Sequence, residues 1–235
     1  MRSTGLFAGI HLAGNALLLW LGYIWLGMGE SRSGALVESL AMAVLLVCLT
    51  CWLYGASFAF FTERRVMAAF GTALRRLIPL VLAAIAVLII YVLLERLAAA
   101  MDDPGFRLAS WLTMKLRKPV KPATVQGIFH AFFWVVRWIV APLLLLPIAP
   151  AIVSRGRRRR TWLYCLEAPV LLLIAVWVPL KLVAWVPHMK TFNGEMTSFV
   201  LRAAAAFLLF VSGWLVLAFV TAQAKSRNAI VRGRR

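Results

Sequence analysis

The chain of 235 residues is too apolar to be a soluble protein, because 63% of its residues are hydrophobic and only 14% are charged. A soluble domain is about half apolar and a quarter charged. The charges are also unequal, with 26 Lys and Arg against 8 Asp and Glu. In an apolar chain this excess indicates basic cytoplasmic loops, and no soluble segment is long enough for a nucleic-acid-binding surface. We therefore predict an all-α, polytopic transmembrane helical bundle, with residues 1–235 forming one integral membrane domain.

Six apolar runs are long enough to cross a bilayer, which takes about 20 residues for a hydrocarbon core of about 30 Å. The fourth run contains Arg137 and three prolines, Pro142, Pro147 and Pro150. Proline weakens the backbone ladder, so we predict a kinked helix there, with neighbouring helices satisfying the freed carbonyls. The predicted spans cover residues 6–29, 39–62, 77–94, 128–153, 162–186 and 199–223.

The Lys and Arg residues between these spans set the predicted orientation. Fifteen of them lie at the amino end, in the second and fourth loops and in the basic tail 225–235, against eight in the other loops. Basic residues accumulate on the cytoplasmic side, so we predict a multi-pass cell-membrane (inner-membrane) protein with both termini cytoplasmic. The third loop, 96–127, is then outside with six positive charges. Either this loop is an exception, or a neighbouring segment does not fully cross.

The third loop contains the pattern of an amphipathic helix over residues 104–118. Asp102 or Asp103 can cap it, and Pro104 suits its first turn. Apolar residues share one face and basic residues spread over the rest, which is typical of a helix lying in the membrane interface. An ordinary amphipathic connector is the alternative. The apolar face contains Leu108, Ala109, Leu112 and Leu116, and the basic residues are Arg107, Lys115, Arg117 and Lys118.

Two basic runs are predicted to contact anionic lipid headgroups, because each such charge contributes on the order of 1 kcal/mol near an anionic leaflet. The second run is the tail 225–235, and a docking strip for a cytoplasmic partner is the alternative for both. The first run lies in the fourth loop and consists of Arg155, Arg157, Arg158, Arg159 and Arg160.

Ionisable residues within spans are costly and are therefore candidate functional residues. At 1.5 Å per residue, Arg137, Lys181 and Arg202 gather in the outer half of the bundle, and His130 lies two turns from Arg137. They are candidates for binding an anion or an acidic lipid around a wet cavity. Alternatively, outer glutamates neutralise them and lock the helices together. The candidate counter-ions are Glu38, Glu95 and Glu195.

A second candidate group lies nearer the cytoplasmic side. Glu167 falls at the depth of His11, and Asn15 is one turn from His11 on the same helix face. A carboxyl, an imidazole and an amide at one depth could form a proton relay. The alternative is structural: Glu167 reaches back to Arg157–Arg160, and His11 and Asn15 bond to neighbouring helices.

The sequence contains none of the common catalytic motifs, so we expect no enzyme activity and no cofactor. Cys48 and Cys51 lack the second half of a zinc site, and we expect no metal. The first hypothesis for function is a non-enzymatic scaffold or accessory membrane subunit, bound to anionic lipid and to a membrane protein partner or a second copy. The second is a small permease for an anionic solute. A lipid-modifying intramembrane enzyme would have only Glu167, His11 and His130 to use.

Overall fold

The computed structural model describes residues 2–28, 33–153, 167–185 and 192–233, and in these ranges every regular element is a helix. Five helices are long and apolar enough to cross a membrane, which confirms the predictions of an all-helical fold and of a membrane protein. They are Ser3–Leu26, Ser33–Glu63, Leu77–Leu116, Pro122–Val153 and Asn193–Ala222.

The described ranges contain eleven α-helical segments. These are α1 (Arg2–Leu26), α2 (Ser33–Glu63), α3 (Val66–Arg75), α4 (Leu77–Ala100), α5 (Asp102–Leu116), α6 (Pro122–Val135), α7 (Ala141–Leu145), α8 (Ile148–Val153), α9 (Glu167–Leu172), α10 (Val178–Ala184) and α11 (Phe192–Gly233).

The fifth predicted span, 162–186, is described only in part. Its described portion runs through α9 and α10 and includes Val170–Ala184, an apolar helix shorter than the five above. A sixth crossing therefore stays a prediction. The last helix, α11, continues beyond its apolar part through most of the basic tail, as far as Gly233.

The prolines act on the fourth and fifth predicted spans by widening the helix. π-Helical turns occupy Val136–Val140 and Leu173–Trp177, and Pro142 and Pro179 follow each turn by two residues. A proline ring clashes with the carbonyl oxygen four residues earlier. In both helices that carbonyl falls inside the π turn, where the wider winding relieves the clash.

The second loop contains a helix that the sequence analysis missed. α2 ends at Glu63, and α3 begins at Val66 after a turn in which Arg64 has φ of 60°. This turn folds α3 back along α2, where Ala69 and Ala73 are buried. The absence of a side chain at Gly55 leaves room for Leu80 of α4, because a Cβ there would lie 2.6 Å from Leu80 Cδ1.

Arg64→Gly is expected to raise the free energy of unfolding by about 0.5–1 kcal/mol, because a left-handed backbone is unfavourable for a residue with a Cβ and free for glycine. SDS titration of the protein in mixed micelles measures this. Arg65→Gly is the matched control, since Arg65 has an ordinary φ of −123°. It should lower stability, because glycine only adds freedom to the unfolded chain. Equal effects of both substitutions would contradict the prediction.

α5 lies where the sequence predicts the interfacial helix, but the predicted cap is wrong. Met101 occupies the N-cap position without a side-chain hydrogen bond, and Asp102 and Asp103 lie in the first turn. The reason is that α5 follows α4 after a single turn residue, so the helix begins earlier than expected. The carboxylates still face the positive end of the helix dipole. The helix ends at Arg117, whose φ is 51°.

The main core is aromatic and joins α1, α2, α3, α4, α8 and α11. Phe7 of α1 stacks on Phe60 of α2 with ring centroids 4.1 Å apart and planes within 4°. Both side chains are almost fully buried, and Val153 and Ala218 close the cluster from α8 and α11. This core fixes the relative position of α1 and α2, which carry the polar network described below.

Gly213→Ala is expected to lower the free energy of unfolding by about 1 kcal/mol. A Cβ on Gly213 of α11 would lie 2.7 Å from the Cβ and 3.0 Å from the Cα of the buried Ala175. Overpacking of this kind costs about 1–3 kcal/mol, which exceeds the gain of about 1 kcal/mol in helix propensity. Gly22→Ala is the control in the same SDS titration. No described atom lies within 4 Å of a Cβ at Gly22. Gly22→Ala should therefore only gain helix propensity and raise the free energy of unfolding by about 1 kcal/mol.

Candidate functional site

A buried hydrogen-bonded pair of polar side chains lies on α1. His11 has no exposed surface and Asn15 is 5% exposed. The Asn15 Nδ2 group donates to His11 Nδ1 and to the His11 carbonyl oxygen, both at 2.8 Å. The four-residue spacing places the two side chains one above the other on the helix. The amide thereby holds the orientation of the imidazole ring.

The pair continues into a network that crosses three helices. The Tyr54 hydroxyl of α2 donates to Asn15 Oδ1 at 2.5 Å. The Ser57 hydroxyl donates to the Tyr54 carbonyl oxygen at 2.6 Å. From α11, Trp214 Nε1 donates to Ser57 Oγ at 3.0 Å. Tyr54, Ser57 and Trp214 are the members of this network that the sequence analysis missed.

Nε2 of His11 is buried and has no hydrogen-bond partner among the residues that the structure describes. Because the Asn15 Nδ2 group can only donate, Nδ1 is the acceptor and the ring proton lies on Nε2. The rings of Phe7 and Tyr54 flank the imidazole, with centroids 5.9 Å and 5.4 Å away. An amide nitrogen cannot take up a proton at this position, so the contact with Asn15 orients His11 without conducting a proton.

The third candidate of the predicted relay, Glu167, is the first residue of α9. Its side chain lies outside the described residues, as do the side chains of the two residues that follow. The relay of Glu167, His11 and Asn15 therefore stays a prediction. The side-chain hydrogen bonds that the structure describes for His11 and Asn15 join them to each other and to Tyr54.

Arg137 pairs with one of the three candidate glutamates. Its Nη2 group donates to Glu95 Oε2 of α4. The Tyr91 hydroxyl, one turn before Glu95, donates to the Arg137 carbonyl oxygen at 3.1 Å. At 1.5 Å per residue, Glu95 lies about 27 Å along α4 from Leu77. Arg137 lies about 24 Å from Val153, the end of α8. The two distances are similar, so Glu95 and Arg137 lie at about the same depth when the two helices run antiparallel.

The other two candidate cations have contacts without a carboxylate. Arg202 donates from Nε to the Ser198 carbonyl oxygen at 3.2 Å and from Nη1 to the Val183 carbonyl oxygen at 3.1 Å. The second of these bonds ties α11 to α10. Lys181 Nζ lies 5.7 Å from the ring centroid of Trp177, one turn earlier on its own helix, which is cation–π distance.

The remaining candidates are exposed or lie outside the described residues. His130 is exposed on α6, and Glu38 and Glu195 are exposed on α2 and α11. The predicted headgroup contacts Arg155 and Arg157–Arg160 lie outside the described residues, as do the side chains of the tail. Among the described residues, no group of three or more His, Cys, Asp or Glu side chains could hold a metal ion. Cys48 and Cys51 are free thiols.

A cavity of about 310 Å³ lies at the end of the bundle where α2 ends and α4 begins. It is far from the Arg137–Glu95 pair, since Arg76 and Glu95 are separated by about 28 Å along α4. The polar residues of its lining are Thr62, Glu63, Thr72, Arg75 and Arg76.

Comparison of this chain with models of known protein families, with curated proteins and with solved structures finds no match.

Proposed function

We propose that this chain is a non-enzymatic membrane scaffold or accessory subunit, which holds a membrane protein partner or a second copy of itself in the bilayer. The observation that carries this proposal is that each of the three predicted intramembrane cations contacts another group of the protein. Arg137 contacts Glu95, Arg202 contacts backbone carbonyls, and Lys181 contacts an aromatic ring. Protein groups thus compensate charges that an anion would otherwise have to compensate.

The closed polar network supports the same proposal. In lipid, the hydrophobic effect does not drive helices together, because the tails are as apolar as leucine, so hydrogen bonds add to side-chain packing in selecting an arrangement. Hydrogen bonds from Asn15 to Tyr54 and from Trp214 to Ser57 select one arrangement of α1, α2 and α11. A fixed arrangement of this kind is what a scaffold needs to present a constant surface to its partner.

The proposal includes a full topology. The chain crosses the cell membrane six times, with 162–186 as the fifth span, and both termini are cytoplasmic. α5 lies in the opposite interface as an amphipathic helix, with its basic residues among lipid phosphates. Arg155, Arg157–Arg160 and the tail contact anionic headgroups on the cytoplasmic side. Cysteine-accessibility labelling from the two sides of sealed vesicles would test each of these placements.

Extraction from the native membrane in mild detergent tests the scaffold function. After cross-linking in intact cells, we expect a discrete complex that contains this chain and either a second copy or another membrane protein in fixed stoichiometry. The paired variant Glu95→Gln with Arg137→Gln is the control. It keeps polar side chains at both positions and should preserve the complex. Isolation of the chain only as a monomer with lipid would contradict the proposal.

A permease for an anionic solute is the second candidate, and the exposure of His130 and Lys181 favours it. Flux of chloride, phosphate and small carboxylates into proteoliposomes would test it. If the chain is a permease, Arg137→Leu and Lys181→Met should abolish an uptake that the wild type shows. If it is a scaffold, no variant should differ from empty liposomes.

A further inference from the structure

The cavity is lined by α2, by α3, by Arg76 and by Val153 of α8, and it contains two arginines that are neighbours in the sequence, Arg75 and Arg76. Consecutive residues of a straight helix point about 100° apart, since a turn takes 3.6 residues. Here the helix breaks at Arg76, which ends α3 and precedes α4 with φ of −109° and ψ of 14°. The break brings the side chains of Arg75 and Arg76 to the same cavity.

The other polar side chains of the cavity already use their donors. The Thr72 hydroxyl donates to Glu63 Oε1 at 2.8 Å, and the Thr62 hydroxyl donates to the Phe58 carbonyl oxygen at 3.1 Å. Among the described residues, neither Arg75 nor Arg76 has a side-chain hydrogen bond or an ion pair. Two guanidinium groups and one carboxylate leave the lining with a net positive charge.

We infer that this cavity binds the phosphate group of an anionic ligand through Arg75 and Arg76. A planar guanidinium presents paired N–H donors that match phosphate oxygens, and two such groups can hold one phosphate from two directions. The volume of about 310 Å³ accommodates a phosphate together with a small polar substituent. The inference rests on this cavity alone and does not depend on the proposed scaffold function.

The place of the cavity favours a phospholipid headgroup as the source of that phosphate. The cavity lies where the apolar helix Ser33–Glu63 ends and the apolar helix beginning at Leu77 starts. The ends of spanning helices lie at the level of the lipid phosphates, and basic pockets between such helices bind anionic headgroups. A soluble phosphate monoester has the same binding chemistry, and the experiment separates the two sources.

Native mass spectrometry of the full chain, titrated with short-chain phosphatidylglycerol, measures binding of a phospholipid. Calorimetric titration with glycerol 3-phosphate measures binding of a soluble phosphate ester. Each guanidinium supplies at least one charged hydrogen bond, so Arg75→Gln with Arg76→Gln should weaken binding at least about 100-fold. Arg96→Gln with Lys121→Gln removes the same charge from exposed residues of the third loop and should leave the affinity unchanged.

Glu63→Gln is a second test, because its expected effect is tighter binding, which misfolding cannot produce. It removes the opposing charge but keeps a carbonyl oxygen for the Thr72 hydroxyl, so binding should tighten about fivefold, the effect of one exposed charge. A misfolded protein would not bind more tightly. Loss of phosphatidylglycerol binding in the arginine variant assigns the site to lipid, and loss of glycerol 3-phosphate binding alone assigns it to a soluble ester. Binding of both probes unaffected by either variant would overturn the inference.

Discussion

Replacement of Asn15 with leucine is expected to lower the free energy of unfolding by about 2 kcal/mol. The substitution removes three hydrogen bonds, which join Asn15 to His11 Nδ1, to the His11 carbonyl and to Tyr54. A hydrogen bond between membrane helices contributes about 0.6 kcal/mol on average, and the groups left unpaired here are buried, which raises the cost. SDS titration in mixed micelles, followed by tryptophan fluorescence, measures the change.

Two further variants in the same titration give the expected order of effects. Tyr54→Phe removes one hydrogen bond of the network and should cost about 0.6 kcal/mol. Ser212→Ala removes a hydroxyl on the exposed side of α11, which bonds only to carbonyls of its own helix. Its effect should be close to zero. The structural role of the network would be refuted if Asn15→Leu were no more destabilising than Ser212→Ala.

The apolar runs predict most of the long helices because the bilayer imposes a minimum length on any crossing segment. The predicted span 39–62 falls inside α2, and 199–223 falls almost entirely inside the helix Asn193–Ala222. The boundaries move outward in both helices. Hydrogen bonding continues past the apolar run, since a helix does not end where hydrophobicity ends.

The sequence does not predict the features that depend on contacts between helices. α3 is only ten residues long and has arginines at its ends, so its sequence resembles a basic loop between two spans. Its spacing of Val66, Ala69, Phe70 and Ala73 gives a buried helical face that could have revealed it. The prolines predict only a kink in the fourth span, and no distortion is predicted before Pro179, because the response of a helix to proline depends on its neighbours.

The candidate sites show the same difference between contacts within one helix and contacts between helices. His11 and Asn15 lie four residues apart, so their contact follows from helix geometry. Their partner Tyr54 is 39 residues from Asn15, and Trp214 is 157 residues from Ser57. Spacing along the chain carries no information about such contacts. For Arg137, the sequence left three counter-ions open. Glu95 and Arg137 lie at similar distances along their antiparallel helices, which would have favoured Glu95 as the counter-ion.

Arg137→Leu is expected to lower the free energy of unfolding by about 2–3 kcal/mol. The substitution leaves the Glu95 carboxylate without its cation, and an uncompensated charge among apolar side chains is costly. The pair is partly accessible, with side chains 31% and 66% exposed in the absence of lipid, which keeps the cost below that of a fully buried pair. Glu38→Gln is the control. Glu38 is exposed and has no ion pair with any described residue, so its loss should change stability little.

Exchange of the two charges tests whether the pair itself is responsible. Glu95→Arg and Arg137→Glu should each destabilise the bundle, since each places two like charges together. The combined variant restores an opposite-charge contact between α4 and the π turn at Val136–Val140. A double-mutant cycle should therefore show a favourable coupling of about 1–2 kcal/mol. Additive effects would mean that Arg137 and Glu95 act independently, and the charge compensation on which the scaffold proposal rests would then have to come from elsewhere.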